Sequence, residues 1–420
     1  MLKASALYIV IIIALVIAVL CSSLIVAAYF YKTQYQRKTR YDQLDNNLTS
    51  GINILIAGTD TSYSHGKTFS LFNDDADSVA LKRFFWGMYD IGTVQSFSQK
   101  DTLFKTFSMA NMIDSSKWAA LYLADDDSPL SLSGKTMIKG DAYLPKAGIT
   151  EAYIDNKGYE GDKKLVTGHK YTSERILPPL KKERLAIFEN LMSQKHPGDT
   201  SINKDSIKNS FLSETRFIDL GKKINTLKNT YINGNIIIVS DTALFIDSSA
   251  ILKNIMIFAK SITVKKGFHG SCQLFATDSI NIRQNCKFNY PSCLGVLNYN
   301  STNIGAPPQI KIDSNSNFTG IIFTYEKNKS AIGATVEIGK NVVISGQIYS
   351  QSNLKFTDSS VINGSIFTSA LFYKKDFKFY RGYLIDARIN SKALSPYYLT
   401  GELLPVASKK KKVLQWLEAN

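Results

Sequence analysis

Between Ile238 and Ile282 the chain reads "IVSDTALFIDSSAILKNIMIFAKSITVKKGFHGSCQLFATDSINI", and one set of residues recurs at every sixth position. That set is Ile238, Leu244, Ala250, Met256, Ile262, Phe268, Leu274 and Ile280, with Cys286 next. A second set runs two residues behind it: Ser240, Ile246, Leu252, Phe258, Val264, Gly270, Ala276 and Ile282, then Phe288. An α-helix needs apolar positions three and four apart, so this beat excludes one. Alternate side chains of a strand share a face, so each hexad is a short strand ending in a bend. Three hexads make an 18-residue coil that stacks Leu244 on Ile262 and Ile262 on Ile280. The expected object is a triangular parallel β-helix.

The beat resumes at Val336, Val342, Ile348, Leu354 and Ile366, with Ser360 in the slot before the last. Ile338, Ile344, Phe356 and Ile362 follow two residues behind. The segments "KIDSNSNFTGIIFT", "EIGKNVVISGQIYS" and "KFTDSSVINGSIFT" bring Gly320, Gly346 and Gly364 to one corner, where a bend tolerates little but glycine. The coils are expected over 238–368, interrupted by loops at 289–308 and at 325–332, "YEKNKSAI". An earlier piece at 130–144 keeps the spacing at Leu132, Ile138 and Leu144 and reads as a first coil. This spacing resembles that of bactofilin-type and hexapeptide-type solenoids, a resemblance of architecture that carries no activity.

The amino-terminal end is of a different kind. From Ala4 to Tyr31 no residue is charged, which is long enough to span a bilayer as a helix and longer than the apolar core of a cleavable signal. Beyond it Leu44, Leu48, Ile52 and Leu55 fall three or four apart, one face of an amphipathic helix. No Pro or Gly occurs before Gly51, so one helix is expected over 1–57, with its transmembrane part at 4–31. Cys21 follows the bulky Leu20, against a lipoprotein cleavage site, and reads as a small apolar residue of the span.

A short basic leader, an apolar helix running into the Gln- and Arg-rich "KTQYQRKTRYDQLDNN", and then a β-rich region resemble a type IV pilin-like protein. The likeness is to minor pilins and pseudopilins of the PilX and general-secretion K kind, and it covers about Met1 to Gly58. It implies cleavage by a prepilin peptidase, here between Ala4 and Ser5, with Ala where the family usually has Gly. Counted from Ser5, Ile9 stands where most members carry an acidic residue, a position at which K-type members also depart. The resemblance implies other pilin-like subunits as partners and an inner-membrane, single-pass protein whose bulk lies outside the cytoplasm. The cationic residues point the other way: Lys3 precedes the span, while Lys32, Arg37, Lys38 and Arg40 follow it, which would keep the bulk inside. A plain single-pass anchor unrelated to pili accounts for the same residues.

The middle region, 58–237, is expected to be mixed and β-rich. It includes "DSVALKRFFWGMYDIG" as an amphipathic strand and a short helix near 180–193 opening after "PP". Residues 369–420 are expected to cap the coils and to carry the run Lys409, Lys410, Lys411 and Lys412. With a net charge of +15, that run is a candidate contact for DNA or an anionic glycan; a solvated surface is the plainer reading.

Catalytic patterns are scarce. The acidic clusters Asp74, Asp75, Asp77 and Asp125, Asp126, Asp127 sit in turn-like sequence, where a Ca²⁺ site competes with a solvated loop. Asp247, Asp278 and Asp358 adjoin Ser at bends and suit backbone capping. His65, His169, His196 and His269 lack zinc spacing, and neither a nucleophile elbow nor a phosphate-binding Gly loop occurs. Cys272, Cys286 and Cys293 read as buried or free thiols, with a Cys272–Cys293 disulfide as the alternative outside the cytoplasm. The expectation is a non-enzymatic membrane-anchored structural subunit without cofactor or metal, whose partners are the bilayer and like subunits. The rival is a tethered β-helix module that binds or degrades anionic glycans.

Overall fold

The computed structural model describes residues 2–58, 61–71, 77–154, 156–194, 198–199, 202, 205–299, 307–357 and 359–419. The chain is mainly β with one long amino-terminal helix, and it divides into two compact units. The first comprises 1–84, 92–107 and 416–420; the second comprises 85–91 and 108–415.

In the first unit, helix α1 runs unbroken from Leu2 to Ala57, about 84 Å at 1.5 Å per residue. Leu44, Leu48, Ile52 and Leu55, the stripe expected from their spacing, are all buried. Gly51 does not end the helix. A β-carbon there would come within 2.7 Å of Val94, 2.8 Å of Leu81 and 3.1 Å of Val79, so its missing side chain lets the sheet approach the helix. That sheet has five strands in the order 67–69, 78–86, 89–98, 101–113 and 407–419. The single strand expected over "DSVALKRFFWGMYDIG" is two strands, folded at Gly87 where φ is +65°. The strand ends at 85–91, 108–113 and 407–415 are counted in the second unit.

The second unit is built on a large sheet, almost wholly parallel, that closes on itself. Leu244 pairs in register with Ile262 and Ile262 with Ile280, the 18-residue step of the sequence beat. Farther on Ile310 pairs with Val336, Phe318 with Ile344, and Ile348 with Ile366. These side chains belong to one continuous apolar core that runs the length of the sheet. Gly320, Gly346 and Gly364 share one register position with φ of +147°, +150° and +151°. A β-carbon on each would fall on the carbonyl oxygen of the residue stacked before it: Ser292, Gly320 and Gly346. Asn285, Asn315 and Asn341 turn three other corners with φ of +61°, +58° and +57°, a conformation that Asn tolerates better than most residues.

The structure departs from the sequence reading in four places. Asn254, at φ +51°, inserts one extra residue, so Ile255, Ile257 and Ala259 enter the core and Met256 and Phe258 point the other way. Register returns between Ala259 and Ser261. The stretch 289–308 is not one loop: Lys287–Asn298 is a strand that places Leu294 and Val296 in the core, while 300–306 lie outside the described residues. The coil at 130–144 is not first in the stack. It pairs beyond the strand of Ile366 instead, with Ile138 in register with Ile389 and Ala142 with Leu121, which itself pairs with Ile366. The segment that precedes Ile238 in the stack is 206–234, where Ile207 pairs with Ile232 and Ile232 with Leu252. Finally, 369–420 is no simple cap, because Arg388–Asn390 joins the large sheet and Ala407–Ala419 joins the five-stranded one. Helix α2, Lys182–Ser193, forms where a short helix near 180–193 is expected.

Candidate functional site

The apolar half of α1 is the most conspicuous chemical surface. Leu7, Ile13, Leu20, Val26 and Phe30 are all exposed, and the most apolar stretch has a mean hydropathy of 3.3 with none of it buried. By length and composition it can cross a bilayer. In water such a surface would forfeit about 1.5–3 kcal/mol for each large side chain left uncovered. Two serine hydroxyls within it, and Thr33 just past it, bond back to the helix. The hydroxyls of Ser22 and Ser23 donate to the carbonyls of Ala18 and Leu20 at 2.8 Å, and that of Thr33 to Tyr29 at 2.9 Å. Tyr29, Phe30 and Tyr31 close the run with aromatic rings, the residues that favour a membrane–water boundary. Ala4 and Ser5 lie in the first turns of α1, and their side chains fall outside the described residues. Ile9 is exposed.

The lysine run splits. Lys409, Lys410 and Lys412 are exposed, whereas the side chain of Lys411 is 6% exposed. Its ammonium lies 3.0 Å from Asp90 and 2.9 Å from Glu402. Arg184 of α2 donates to the same two carboxylates, at 2.6 Å to Glu402, and lies 5.1 Å from the Phe85 ring. Lys181 adds a third cation, 3.7 Å from Glu402, so three cations face two anions. Burial pushes the Glu402 carboxyl up, but Arg184 and then Lys411 outweigh it and hold it at about 2. Glu402 is therefore ionised near neutral pH. The cluster clamps α2, Asp90 and the strand of Lys411 together, and Lys411 is withdrawn from the expected anionic-ligand surface.

Beside the cluster, Phe188 of α2 meets Phe85, Phe275 and Phe323 at ring distances of 5.1, 4.8 and 6.2 Å. Phe258 stacks on Phe275 at 5.1 Å. These rings cover the outer face of the large sheet. Gln273 extends the same seam: its amide nitrogen donates to the Trp86 carbonyl at 3.0 Å, and its oxygen accepts from the Met88 N–H at 2.8 Å. Counting sixes hid all of this, because a six-residue count names inward positions only. The signal in the sequence is the large residues between the inward ones, at Phe275 and Phe323; Phe258 counts as inward until the Asn254 insertion turns it out.

The remaining candidates are held structurally. Asp125 accepts from the amides of Asp127 and Lys146, Asp126 pairs with Arg381 at 3.0 Å, and Asp127 with Arg175 at 2.8 Å. Asp77 accepts from Asn47 at 2.5 Å; Asp74 and Asp75 lie outside the described residues. Among the described residues no three His, Cys, Asp or Glu side chains are grouped to hold a metal. Asp247 caps Ser249, and Lys265 and Ser249 hold its carboxyl at about 2; Asp278 lies near Lys260, and Asp358 is outside the described residues. His169 faces Asp141, His269 bonds Asn289, His65 ends a short 3₁₀ turn, and His196 is outside the described residues. Cys272, Cys286 and Cys293 are buried free thiols, and Cys21 is exposed on α1. Burial pushes the Cys272 thiol up to about 12 and Cys293 well above its usual range.

No family model matches the chain, and no curated protein matches it. Among solved structures, the chain is similar to the competence-associated pilin ComZ from Thermus thermophilus at 8% identity, over 91% of this chain and 94% of that one. The TM-score is 0.24, too low to transfer fold or function.

Proposed function

We propose that this chain is a non-enzymatic, membrane-anchored structural subunit of a pilin-like assembly. The carrying observation is the division of labour along α1. One continuous helix leaves its apolar half uncovered and buries Leu44, Leu48, Ile52 and Leu55 of its second half in the first unit. Such a helix inserts in the inner membrane and packs against equivalent helices of other subunits, as the pilin-like resemblance of its sequence implies. The bulk lies outside the cytoplasm. In this reading the closed parallel sheet is a triangular β-helix, a rigid body that presents its loops and outer faces to a partner. The full ion pairing of Asp90, Arg184, Glu402 and Lys411 favours a structural role over catalysis.

Amino-terminal sequencing of the protein purified from membranes tests this. A mature chain beginning at Ser5 supports it; an intact Met1, or cleavage beyond Tyr31, overturns the pilin assignment. One observation favours the rival, a tethered module for glycans. Phe367, Tyr122, Tyr143 and Tyr171 stack in a ladder at 5.2, 5.1 and 4.9 Å that ends on the exposed Tyr171, the kind of ring on which a sugar can rest. Binding of an anionic glycan that is lost in Tyr171→Ala would establish it.

A further inference from the structure

A cleft of about 980 Å³ opens in the first unit between α1, just past its apolar run, and the turn joining strands 89–98 and 101–113. Helix residues Arg37, Lys38, Arg40 and Tyr41 line one wall, and Gln99 and Lys100 line the other. The turn is held to the helix by Arg40, which donates to Gln99 at 3.0 Å and pairs with Asp101 at 3.3 Å. Asp101 is the one acidic residue of the lining, and Arg40 engages it. No carboxylate among the described residues pairs with Arg37, Lys38 or Lys100, so the cleft keeps an excess of positive charge.

Its height along α1 decides what would fill it. Arg37 and Lys38 follow Tyr31 by six and seven residues, about 9–11 Å along the axis. Side chains on a helix lean toward its amino terminus, which brings their charges back toward the aromatic boundary at Tyr29–Tyr31. That is the level of the lipid phosphates, since headgroups occupy about 5–8 Å on each side of the hydrocarbon. From this placement we infer that the cleft is a binding site for the headgroup of an anionic phospholipid. Lys100 grips the phosphate from the turn while Arg37 and Lys38 grip it from the helix. The inference rests on the membrane insertion of α1 but not on the pilin assignment. It adds a consequence: a lipid held here fixes the depth of the helix and the tilt of the first unit on the bilayer.

The test uses the full chain in a neutral detergent, with native mass spectrometry in the presence of phosphatidylglycerol or phosphatidylcholine. Expected is one retained phosphatidylglycerol and no preference for phosphatidylcholine. Each lysine or arginine near an anionic headgroup contributes roughly fivefold in affinity. Lys100→Gln should therefore weaken retention about fivefold, and Arg37→Gln/Lys38→Gln/Lys100→Gln about a hundredfold. Lys163→Gln/Lys164→Gln, exposed lysines of the second unit, should leave retention unchanged. Lys100→Gln is the decisive variant, because a lipid merely attracted to a basic helix would not sense the turn. Unchanged retention in Lys100→Gln, equal retention of phosphatidylcholine, or displacement by inorganic phosphate at matched concentration would each overturn the inference. Carbonate washing of wild-type membranes keeps the two failures apart: a chain that stays in the pellet yet shows no lipid preference is anchored but lacks the site.

Discussion

Gly346 stacks in register on Gly320, so close that a β-carbon on Gly346 would lie 1.9 Å from the Gly320 carbonyl oxygen. With φ at +150°, the position combines a forbidden volume with a backbone conformation that L-residues avoid. Gly346→Ala is expected to destabilise the second unit by about 3 kcal/mol or more. Gly267 supplies the control. Its φ is +81° but nothing lies within 4 Å, so Gly267→Ala should cost about 1–2 kcal/mol, the conformational part alone. Urea unfolding of the full chain in detergent measures both; equal losses would contradict the stacking argument.

Gln273 bridges backbone groups of two buried residues, the Trp86 carbonyl and the Met88 N–H. Gln273→Ala would strand the Trp86 carbonyl and the Met88 N–H, each at about 1–3 kcal/mol. The expected loss is about 2–6 kcal/mol, with faster hydrogen exchange at the Met88 amide as the local signature. Gln273→Glu keeps the shape and the acceptor for Met88 but turns a carboxylate on the Trp86 carbonyl. It should recover the Met88 protection and not the stability.

The residues just named show where the sequence is readable and where it is not. The stripe Leu44, Leu48, Ile52, Leu55 and the pairs Leu244–Ile262 and Ile262–Ile280 are legible because local periodicity alone decides which side chains face inward. A single inserted residue defeats that logic, as at Asn254, since one step moves every following side chain to the other face. The order along the sheet is also hidden: the segment at 130–144 has the same inward pattern at either end, and only the long-range pairing of Ile138 with Ile389 places it. Lys411 looks like one of four equivalent lysines until Asp90 and Glu402 arrive from elsewhere in the chain.

That cluster gives stability a defined acid dependence. Glu402 is held at about 2 in the folded chain against an ordinary 4.5, so its contribution is complete above pH 4.5 and disappears as pH falls toward 2. The amount at stake is on the order of 3 kcal/mol. Glu402→Gln should lower the urea midpoint at pH 7 and bring the two proteins together near pH 2. A constant gap across that range would mean that Glu402 contributes by packing and not by charge.

The buried thiols set the opposite limit, at alkaline pH. Cys272 is raised to about 12 from an ordinary 9.0 by burial, so the unfolded chain loses this proton first as pH rises. Stability is therefore untouched below pH 9 and erodes between pH 9 and 12. Reactivity follows the same sign, because the thiolate is the nucleophile. Cys272 and Cys293 should resist iodoacetamide at pH 8 in the folded chain and react fully in urea, read by peptide mass. Cys272→Ala, which removes a small side chain from the core cluster, should flatten the alkaline decline while costing about 1–2 kcal/mol at pH 7. Rapid labelling of Cys272 at pH 8 without urea would show that the stretch of coil it lies on opens locally, and would remove the thiol from the alkaline account.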